Sequence, residues 1–367
     1  MKRLSFIPQL DSFRFFSVVF VMLSHWLPGF KYFAAGASLG VTFFFVLSGY
    51  LISSNLLYQK QAIDAGEISR PFAFLQFYYR RTLRIFPLYY LVILLLFISV
   101  PAIFEGKVLW FVSYLPNIMM FRYHFWPGML SHLWSLGVEE QFYLLWPLLI
   151  FFTPWRWLRG LFIITILSSI VFKVILFCFF PNPYMNMLPL SAFDVFGMGA
   201  LLAYLPFSAV PAWTSKVSLS AFFIVCAALS VLALSIARFN LLFNVFYSGC
   251  AVVIIFKSQK GFTGIFGKFL DFRAFQYLGK ISYGLYIYHS FMPWLLRCLT
   301  GTETRYYLPI AILPKSLAGK AVITLSAQFR LLVIVASLSW FLFEKPINNL
   351  KDLLKAKNQS YVRAQRT

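Results

Sequence analysis

The sequence predicts an all-α integral membrane protein, with about ten transmembrane helices in one bundle and both termini in the cytoplasm. Of its 367 residues, 60% are hydrophobic and only 12% are charged, and the mean hydropathy is +0.77. A soluble protein of this length needs much less apolar surface, so lipid must solvate this one. The net charge of +21 comes from bases that lie mostly between apolar runs. This pattern indicates membrane topology, not nucleic-acid binding.

Ten runs have the length and hydropathy of transmembrane helices. They cover residues 11–29, 38–58, 84–101, 131–151, 159–179, 188–206, 217–237, 241–257, 278–296 and 324–343. With the N-terminus inside, 21 of the 32 Lys and Arg residues fall in cytoplasmic segments and 8 in outer segments, which supports this orientation. The other three, Arg14, Lys173 and Arg330, lie within spans. Without an internal repeat or long linker, residues 1–350 are expected to form one membrane domain, followed by a basic cytoplasmic tail over residues 351–367 that suits an anionic lipid surface.

The first span carries three ionisable residues, Asp11, Arg14 and His25. Arg14 and His25 are eleven residues apart, so on an α-helix they share one face and lie about 16 Å apart along the axis. Ionisable groups inside a membrane are costly, so the pair indicates a functional polar path. The alternative is that Arg14 snorkels to the cytoplasmic side and His25 makes a structural hydrogen bond near the outer interface.

Three arginines, Arg80, Arg81 and Arg84, lie where the third predicted span enters from the cytoplasm. Planar guanidinium groups with several N–H donors suit phosphate binding. The alternative is topological anchoring, which needs positive charge but no geometry. Ser48, in the second span, lies in the segment GVTFFFVLSGYLIS, for which helix packing is the first interpretation.

The fourth span contains adjacent carboxylates, Glu139 and Glu140, about two turns from its start, with His132 seven residues before Glu139. Adjacent side chains on a helix point apart, so we expect one carboxylate to face a polar cavity near His25, and the sequence leaves open which one. His132 is on roughly the same face as Glu139.

Two later residues are further candidates for the site. Asp194 is expected to pair with an arginine inside the bundle instead of acting as a base, and His289 is expected to be functional. The tyrosines beside His289 are interpreted as aromatic filling. The histidines and cysteines lack the spacing of metal ligands, so no metal is expected.

Six ordered blocks resemble the membrane-bound acyltransferase-3 family. The blocks are QLDSFR followed by His25, GVTFFFVLSGYLI, YRRTLRIFPLYY, LWSLGVEEQFYLLWP, LGKISYGLYIYH and FEKP, spread over residues 7–349. The resemblance implies that Arg14 and His25 are essential. It also matches Arg81, Arg84 and Glu139 to the basic and acidic motifs of the family.

The usual family sequence Leu-Asp-Gly-Leu-Arg in the first block is Leu-Asp-Ser-Phe-Arg in this chain. A glycine of the family is Ser12 here. This departure bears on close packing at the start of the first helix and not on activity.

The resemblance implies an acyltransferase of the bacterial inner membrane. Its donor would be acyl-CoA, most simply acetyl-CoA. Its acceptor would be a hydroxyl of a surface or lipid-linked glycan such as lipopolysaccharide O-antigen or exopolysaccharide, and some members acylate peptidoglycan or small molecules. Many members also carry a C-terminal SGNH-type domain. The chain is too short to hold one, so transfer is expected to finish at the membrane site or on another protein.

Residue roles follow from this implied reaction. Arg14, Arg80, Arg81 and Arg84 would bind the donor phosphates near the inner face, and the acyl arm would run up the bundle. His25 would act as a general base, or would form an acyl-histidine, with Glu139 or Asp11 orienting or balancing charge. A small-molecule acceptor is the main alternative. A transporter would use similar intramembrane charges, but it leaves the arginine cluster unexplained.

Overall fold

The computed structural model of the protein describes residues 6–27, 31–205, 240–301 and 315–352, and these ranges are helical without a strand. The helices before residue 206 are α1 (Pro8–Trp26), α2 (Lys31–Asp64), α3 (Arg70–Ser99), α4 (Val108–Val112), α5 (Pro116–Tyr123), α6 (Leu133–Phe152), α7 (Trp155–Phe179) and α8 (Phe193–Tyr204). Those after residue 239 are α9 (Asn240–Ser258), α10 (Gly264–Leu270), α11 (Arg273–Lys280), α12 (Ser282–Tyr288), α13 (Met292–Thr300), α14 (Lys315–Ser339) and α15 (Lys345–Asn349). A π-helical turn, Trp340–Glu344, joins the last two.

Within the described ranges, four helical stretches are long and apolar enough to cross a membrane. They are Gly36–Asp64, Arg70–Ser99, Trp155–Phe179 and Val322–Asn349. The last three of these stretches carry many large exposed apolar side chains, as expected where lipid is the solvent. The described architecture is therefore that of an all-α membrane protein. The number of ten spans and the cytoplasmic termini stay predictions, and the predicted span 217–237 lies outside the described residues.

Two predicted spans have different bounds in the structure. Helix α3 begins at Arg70 and not near residue 84, so the arginine cluster lies inside a continuous helix. The predicted span 278–296 was wrong as a single helix, because the chain there is divided among α11, α12, a 3-10 turn at His289–Phe291 and α13. The prediction failed because an apolar run has the same hydropathy whether its helix is continuous or broken.

Helix α1 lies at the centre of the bundle, between α2 on one side and α11 and α12 on the other. Gly279 of α11 touches the α1 backbone, where an added Cβ would lie 1.7 Å from the carbonyl oxygen of Asp11. Ser12 is fully buried and donates a hydrogen bond to the Leu270 carbonyl at 2.6 Å. The serine in place of the family's glycine therefore does not loosen this end of α1.

Helix α2 makes its largest contact with α8. Gly49 permits it, since a Cβ there would lie 2.2 Å from the carbonyl oxygen of Phe196. This close approach agrees with helix packing as the interpretation of the segment GVTFFFVLSGYLIS, which contains Gly49. It also fixes the face of α2 that carries Ser48, and that face points away from α8 toward α6.

Candidate functional site

A cavity with about 860 Å³ of empty space lies among α1, α2, α3, α6 and α12. Three of its lining residues are arginines: Arg14 from α1, and Arg81 and Arg84 from α3. The last two share a face because they are three residues apart on a helix. We call this cavity the arginine pocket.

The cations of the arginine pocket are incompletely neutralised. Arg14 donates to the carboxylate of Asp11 at 2.5 Å. The Arg81 guanidinium lies over the ring of Tyr143, 5.2 Å from its centroid. Among the described residues, neither Arg81 nor Arg84 has a carboxylate within 4 Å, and Arg84 is exposed. The pocket therefore has a net positive charge and an open side, which suits an anionic ligand.

Glu139 is the carboxylate that faces the arginine pocket. It accepts hydrogen bonds from the Ser48 hydroxyl and the Tyr143 hydroxyl. The adjacent Glu140 does not line this pocket, and its Oε1 is buried with no hydrogen-bond partner among the described residues. The structure thus answers which glutamate faces the cavity. It also shows Ser48 hydrogen-bonded across helices, as the serines of this segment were expected to be.

The histidines form a second cluster. His25 Nδ1 lies 2.9 Å from His289 Nε2, and the ring centroids of His132 and His289 are 4.8 Å apart. Both His132 nitrogens face backbone carbonyls, those of Met129 at 3.0 Å and Ile287 at 3.1 Å. His132 therefore ties α6 to α12 and has no nitrogen left for a ligand. No metal-binding group of three His, Cys, Asp or Glu side chains occurs in the described part of the chain.

The contacts of His289 determine the tautomer of His25. His289 Nδ1 lies 2.5 Å from the carbonyl oxygen of Tyr286, which only accepts, so a neutral His289 carries its proton on Nδ1. His289 Nε2 is then an acceptor with two neighbours, the Ser290 hydroxyl at 3.2 Å and His25 Nδ1 at 2.9 Å, and the shorter contact places a proton on His25 Nδ1. His25 Nε2 is left with a free lone pair, which is the form needed by a base or a nucleophile.

Tyr286 connects the arginine pocket to the histidines. Its hydroxyl shares a 2.6 Å hydrogen bond with Ser135 and donates to the His132 carbonyl at 2.9 Å. Tyr286 and Ser135 both line the arginine pocket, while the Tyr286 ring lies 5.5 Å from the ring of His289. Sequence reasoning missed both residues, although the spacing of Tyr286 and His289 already placed them on one helical face.

The structure corrects three details of the predicted site. Glu139 lines the arginine pocket, whereas His25 does not line that cavity and is in contact with His289 instead. Arg80, which has contacts of its own, is also absent from the lining. The tyrosines around His289 are not mere filling, since Tyr283 donates to the Ile85 carbonyl at 2.7 Å.

Asp194 takes no part in either cluster. It pairs with Lys173 at 2.6 Å, and both side chains are 1% exposed. The Ser169 hydroxyl also donates to it at 3.0 Å. The predicted ion pair exists, but the partner is a lysine of α7 and not an arginine. A fully buried and satisfied pair of this kind is a packing element.

This arrangement, a cationic pocket beside a buried histidine cluster in an apolar helical bundle, is that of a membrane protein with a polar intramembrane site. The chain belongs to the acyltransferase family whose model, described as an acyltransferase domain, matches residues 7–344. Membership confirms the family that the six sequence blocks resemble.

Two relatives illustrate the similarity. The O-acetyltransferase OatA of Staphylococcus aureus (strain NCTC 8325 / PS 47) is 30% identical over 328 residues, which cover 77% of this chain and 50% of the relative. The peptidoglycan O-acetyltransferase OatA of Listeria monocytogenes serovar 1/2a is 27% identical over 377 residues, covering 93% of this chain and 56% of the relative. The chain thus spans about half the length of these curated relatives. No solved structure matches it.

Proposed function

We propose that the chain is a membrane O-acetyltransferase, which moves an acetyl group from acetyl-CoA to a hydroxyl of a cell-envelope glycan. Family membership and the names of the relatives support the reaction class. The structural observation that carries the proposal is the pair Arg81 and Arg84, which lack carboxylate partners among the described residues. They line a pocket that Tyr286 connects to the histidine cluster. A multi-pass location in a bacterial inner membrane, with both termini cytoplasmic, belongs to the same proposal.

The donor fits the chemistry of the arginine pocket. Acetyl-CoA supplies an activated thioester and carries several phosphates. Arg81, Arg84 and Arg14 present guanidinium N–H groups to one cavity, and forks of this kind bind phosphate oxygens in pairs. The carboxylate of Glu139 on the opposite wall would repel a phosphate placed too deep, so the anionic part of the donor is expected at the open, Arg84 side.

His25 is the proposed catalytic residue. Its free Nε2 can take the proton of an acceptor hydroxyl as that oxygen attacks the acyl carbon, and the sulfur then leaves. The same lone pair can attack the acyl carbon itself to form an acyl-histidine, which the hydroxyl would then resolve. His289 acts as a positioning residue in both routes, because it holds the tautomer and the ring orientation of His25.

The acceptor that we propose to test first is peptidoglycan, since one relative is named for it. Lipopolysaccharide O-antigen and exopolysaccharide are the other acceptors suggested by the family. All three present sugar hydroxyls, so the chemistry at His25 is the same for each. The difference lies in how the acceptor reaches the site.

The test is transfer of radiolabelled acetyl from acetyl-CoA to peptidoglycan fragments, lipopolysaccharide or exopolysaccharide by the detergent-purified chain. The variants are His25→Ala and, as a matched control, His124→Asn, which changes a histidine of the α5–α6 connection outside the cluster. We expect His25→Ala to lose about 10²- to 10⁴-fold in transfer, the usual contribution of a general base or more, and to keep acetyl-CoA binding. His124→Asn should match wild type.

Two results would overturn the proposal. Failure of a well-folded wild-type sample to bind acetyl-CoA would remove the donor assignment. Full activity of His25→Ala would remove the assignment of the centre. Label that stays on the protein after acid-free denaturation, and is lost in His25→Ala, would select the acyl-histidine route over direct transfer.

A further inference from the structure

A second cavity, with about 730 Å³ of empty space, lies between α1 and α14. Its α1 wall is apolar and includes Met22, Leu23 and Trp26, and its α14 wall includes Phe329 and Arg330. None of these residues lines the arginine pocket. We call it the α1–α14 cavity.

Arg330 is an unexpected residue on this helix. It lies fifteen residues after the first residue of α14, Lys315, which places it about 22 Å along the axis from the start of that helix. It is exposed, and the structure gives it no hydrogen-bond or ion-pair partner among the described residues. Ile334, one turn further along α14, is 56% exposed, so an apolar exposed surface continues beside the guanidinium.

An arginine in this position costs free energy unless an anion or water compensates it. Snorkelling lets an arginine near a helix end reach the headgroups, but Arg330 is about four helical turns from the start of α14. The missing partner must therefore come from outside the described chain. A phosphate on an amphipathic molecule satisfies both the charge and the apolar walls.

The α1–α14 cavity adjoins the histidine cluster. Trp26, which lines the cavity, follows His25 directly in the chain, and its indole N–H donates to the His289 carbonyl at 2.9 Å. A molecule bound in this cavity is therefore held next to the helical turn that carries His25. The arginine pocket reaches the same histidines from the other side, through Tyr286.

We propose that the α1–α14 cavity binds the phosphate of a lipid from the bilayer, with Arg330 as its ligand, and that this lipid carries the acceptor hydroxyl. The acceptor role rests on the proposed function, whereas the lipid-phosphate site does not. The donor and the acceptor then approach the histidines through separate cavities, the first through the arginine pocket and the second sideways from lipid.

The lipid site can be tested by native mass spectrometry of the full chain released from detergent. The probes are dioleoyl phosphatidic acid and dioleoylglycerol, which differ only by the phosphate. We expect wild type to retain the phosphate-bearing lipid about tenfold better, the worth of one charge-assisted hydrogen bond, and Arg330→Gln to lose that preference. Lys345→Gln removes an equal charge from an exposed position outside the cavity and should keep it.

A second variant tests whether lipid retention needs the cavity itself and not only the positive charge of Arg330. Ser326→Phe keeps Arg330 but fills the cavity that Ser326 lines, so it should also release the lipid. Equal preference in wild type and Arg330→Gln would overturn the proposal. Displacement of the lipid by inorganic phosphate at equal concentration would also overturn the proposal, because the cavity would then be a binding site for free anions and not for a lipid.

The acetyl-CoA assay separates this proposal from the proposed function. If wild type shows the lipid preference but neither binds nor uses acetyl-CoA, the lipid site stands and the acetyltransferase proposal fails. If wild type transfers acetyl groups to a lipid-linked acceptor, Arg330→Gln should raise the acceptor KM and leave the acetyl-CoA KM unchanged. An unchanged acceptor KM would refute the acceptor role of the cavity.

Discussion

Replacing His289 with asparagine should lower transfer and leave donor binding intact, because His289 orients His25 from a position behind the reacting nitrogen. Its Nε2 accepts from His25 Nδ1 at 2.9 Å, and it is fully buried. The hydrogen bond from Trp26 goes to the His289 backbone carbonyl, so a side-chain substitution leaves that contact in place. The change therefore removes the contact between the two imidazoles, together with the 3.2 Å contact of the Ser290 hydroxyl with the same nitrogen.

The expected magnitude follows from the lost acceptor. A buried donor left without a partner costs about 1–3 kcal/mol. If this energy is what holds His25 in the productive tautomer and orientation, its loss lowers kcat by roughly 5- to 150-fold, since 1.4 kcal/mol corresponds to a factor of ten. The KM for acetyl-CoA should not change, because His289 does not line the arginine pocket.

His289→Gln is the matched control. The longer side chain carries its amide oxygen about as far as the imidazole carries Nε2, whereas the shorter asparagine ends near the position of Nδ1. Glutamine should therefore keep most of the activity that asparagine loses. The assay is steady-state acetyl transfer with kcat and KM measured separately over a range of pH. Wild-type kcat in His289→Asn, or an equal loss in both variants, would refute the positioning role.

Three further predictions concern packing and the donor site. Gly279→Ala should lower the thermal midpoint in detergent by displacing α11 from α1, at a cost of about 1–3 kcal/mol, whereas Gly160→Ala, with nothing within 4 Å of its added Cβ, should be neutral. Asp194→Asn leaves the Lys173 charge buried and alone and should cost about 3–5 kcal/mol, and a Lys173→Met/Asp194→Leu double variant should recover most of the lost midpoint. Arg84→Gln should raise the acetyl-CoA KM about tenfold, as expected for one charge-assisted hydrogen bond to phosphate, with an unchanged thermal midpoint.

The sequence predicted the residue types of the site because charge inside a membrane is rarely accidental. Arg14, Arg81, Arg84 and Glu139 line one cavity, and His25 contacts His289. The cost of placing an ionisable group among apolar neighbours predicts Arg14, His25, Glu139 and His289, whereas the fit of planar guanidinium groups to phosphate predicts Arg81 and Arg84. An ionisable residue within a long apolar run can be recognised from a single sequence, so this cost can be inferred without a structure.

The sequence could not show which face of each helix points into the cavity or toward a given neighbouring helix. Glu139 and Glu140 differ by 100° around the helix, and the choice between them depends on where Ser48 and Tyr143 lie in other parts of the fold. The sequence also could not predict that Asp194 pairs with Lys173, because this ion pair depends on how α7 packs against α8. The periodicity of a sequence shows which residues share a face of one helix. The contact partner of a side chain depends instead on how two helices pack against each other.

The break in the predicted span 278–296 has a further consequence for the site. A continuous helix keeps its carbonyls within its own hydrogen-bond ladder, and the chain after Tyr286 instead tightens into a 3-10 turn at His289–Phe291. The turn fixes His289 with Nδ1 against the Tyr286 carbonyl and its own carbonyl against Trp26. The local break thus sets the hydrogen-bonding role of the histidine that orients His25.

The separation of the two clusters is consistent with the cost of burying charge. Arg84 is exposed on the open side of the arginine pocket, where water can share its charge, whereas His289 and His132 are at most 1% exposed. A buried neutral imidazole needs only its hydrogen bonds satisfied, while a buried guanidinium also needs a counter-charge. In the proposed function the guanidinium groups bind an anion and His25 acts as an uncharged base, so the two clusters need different degrees of burial. Tyr286 is the side chain that contacts both.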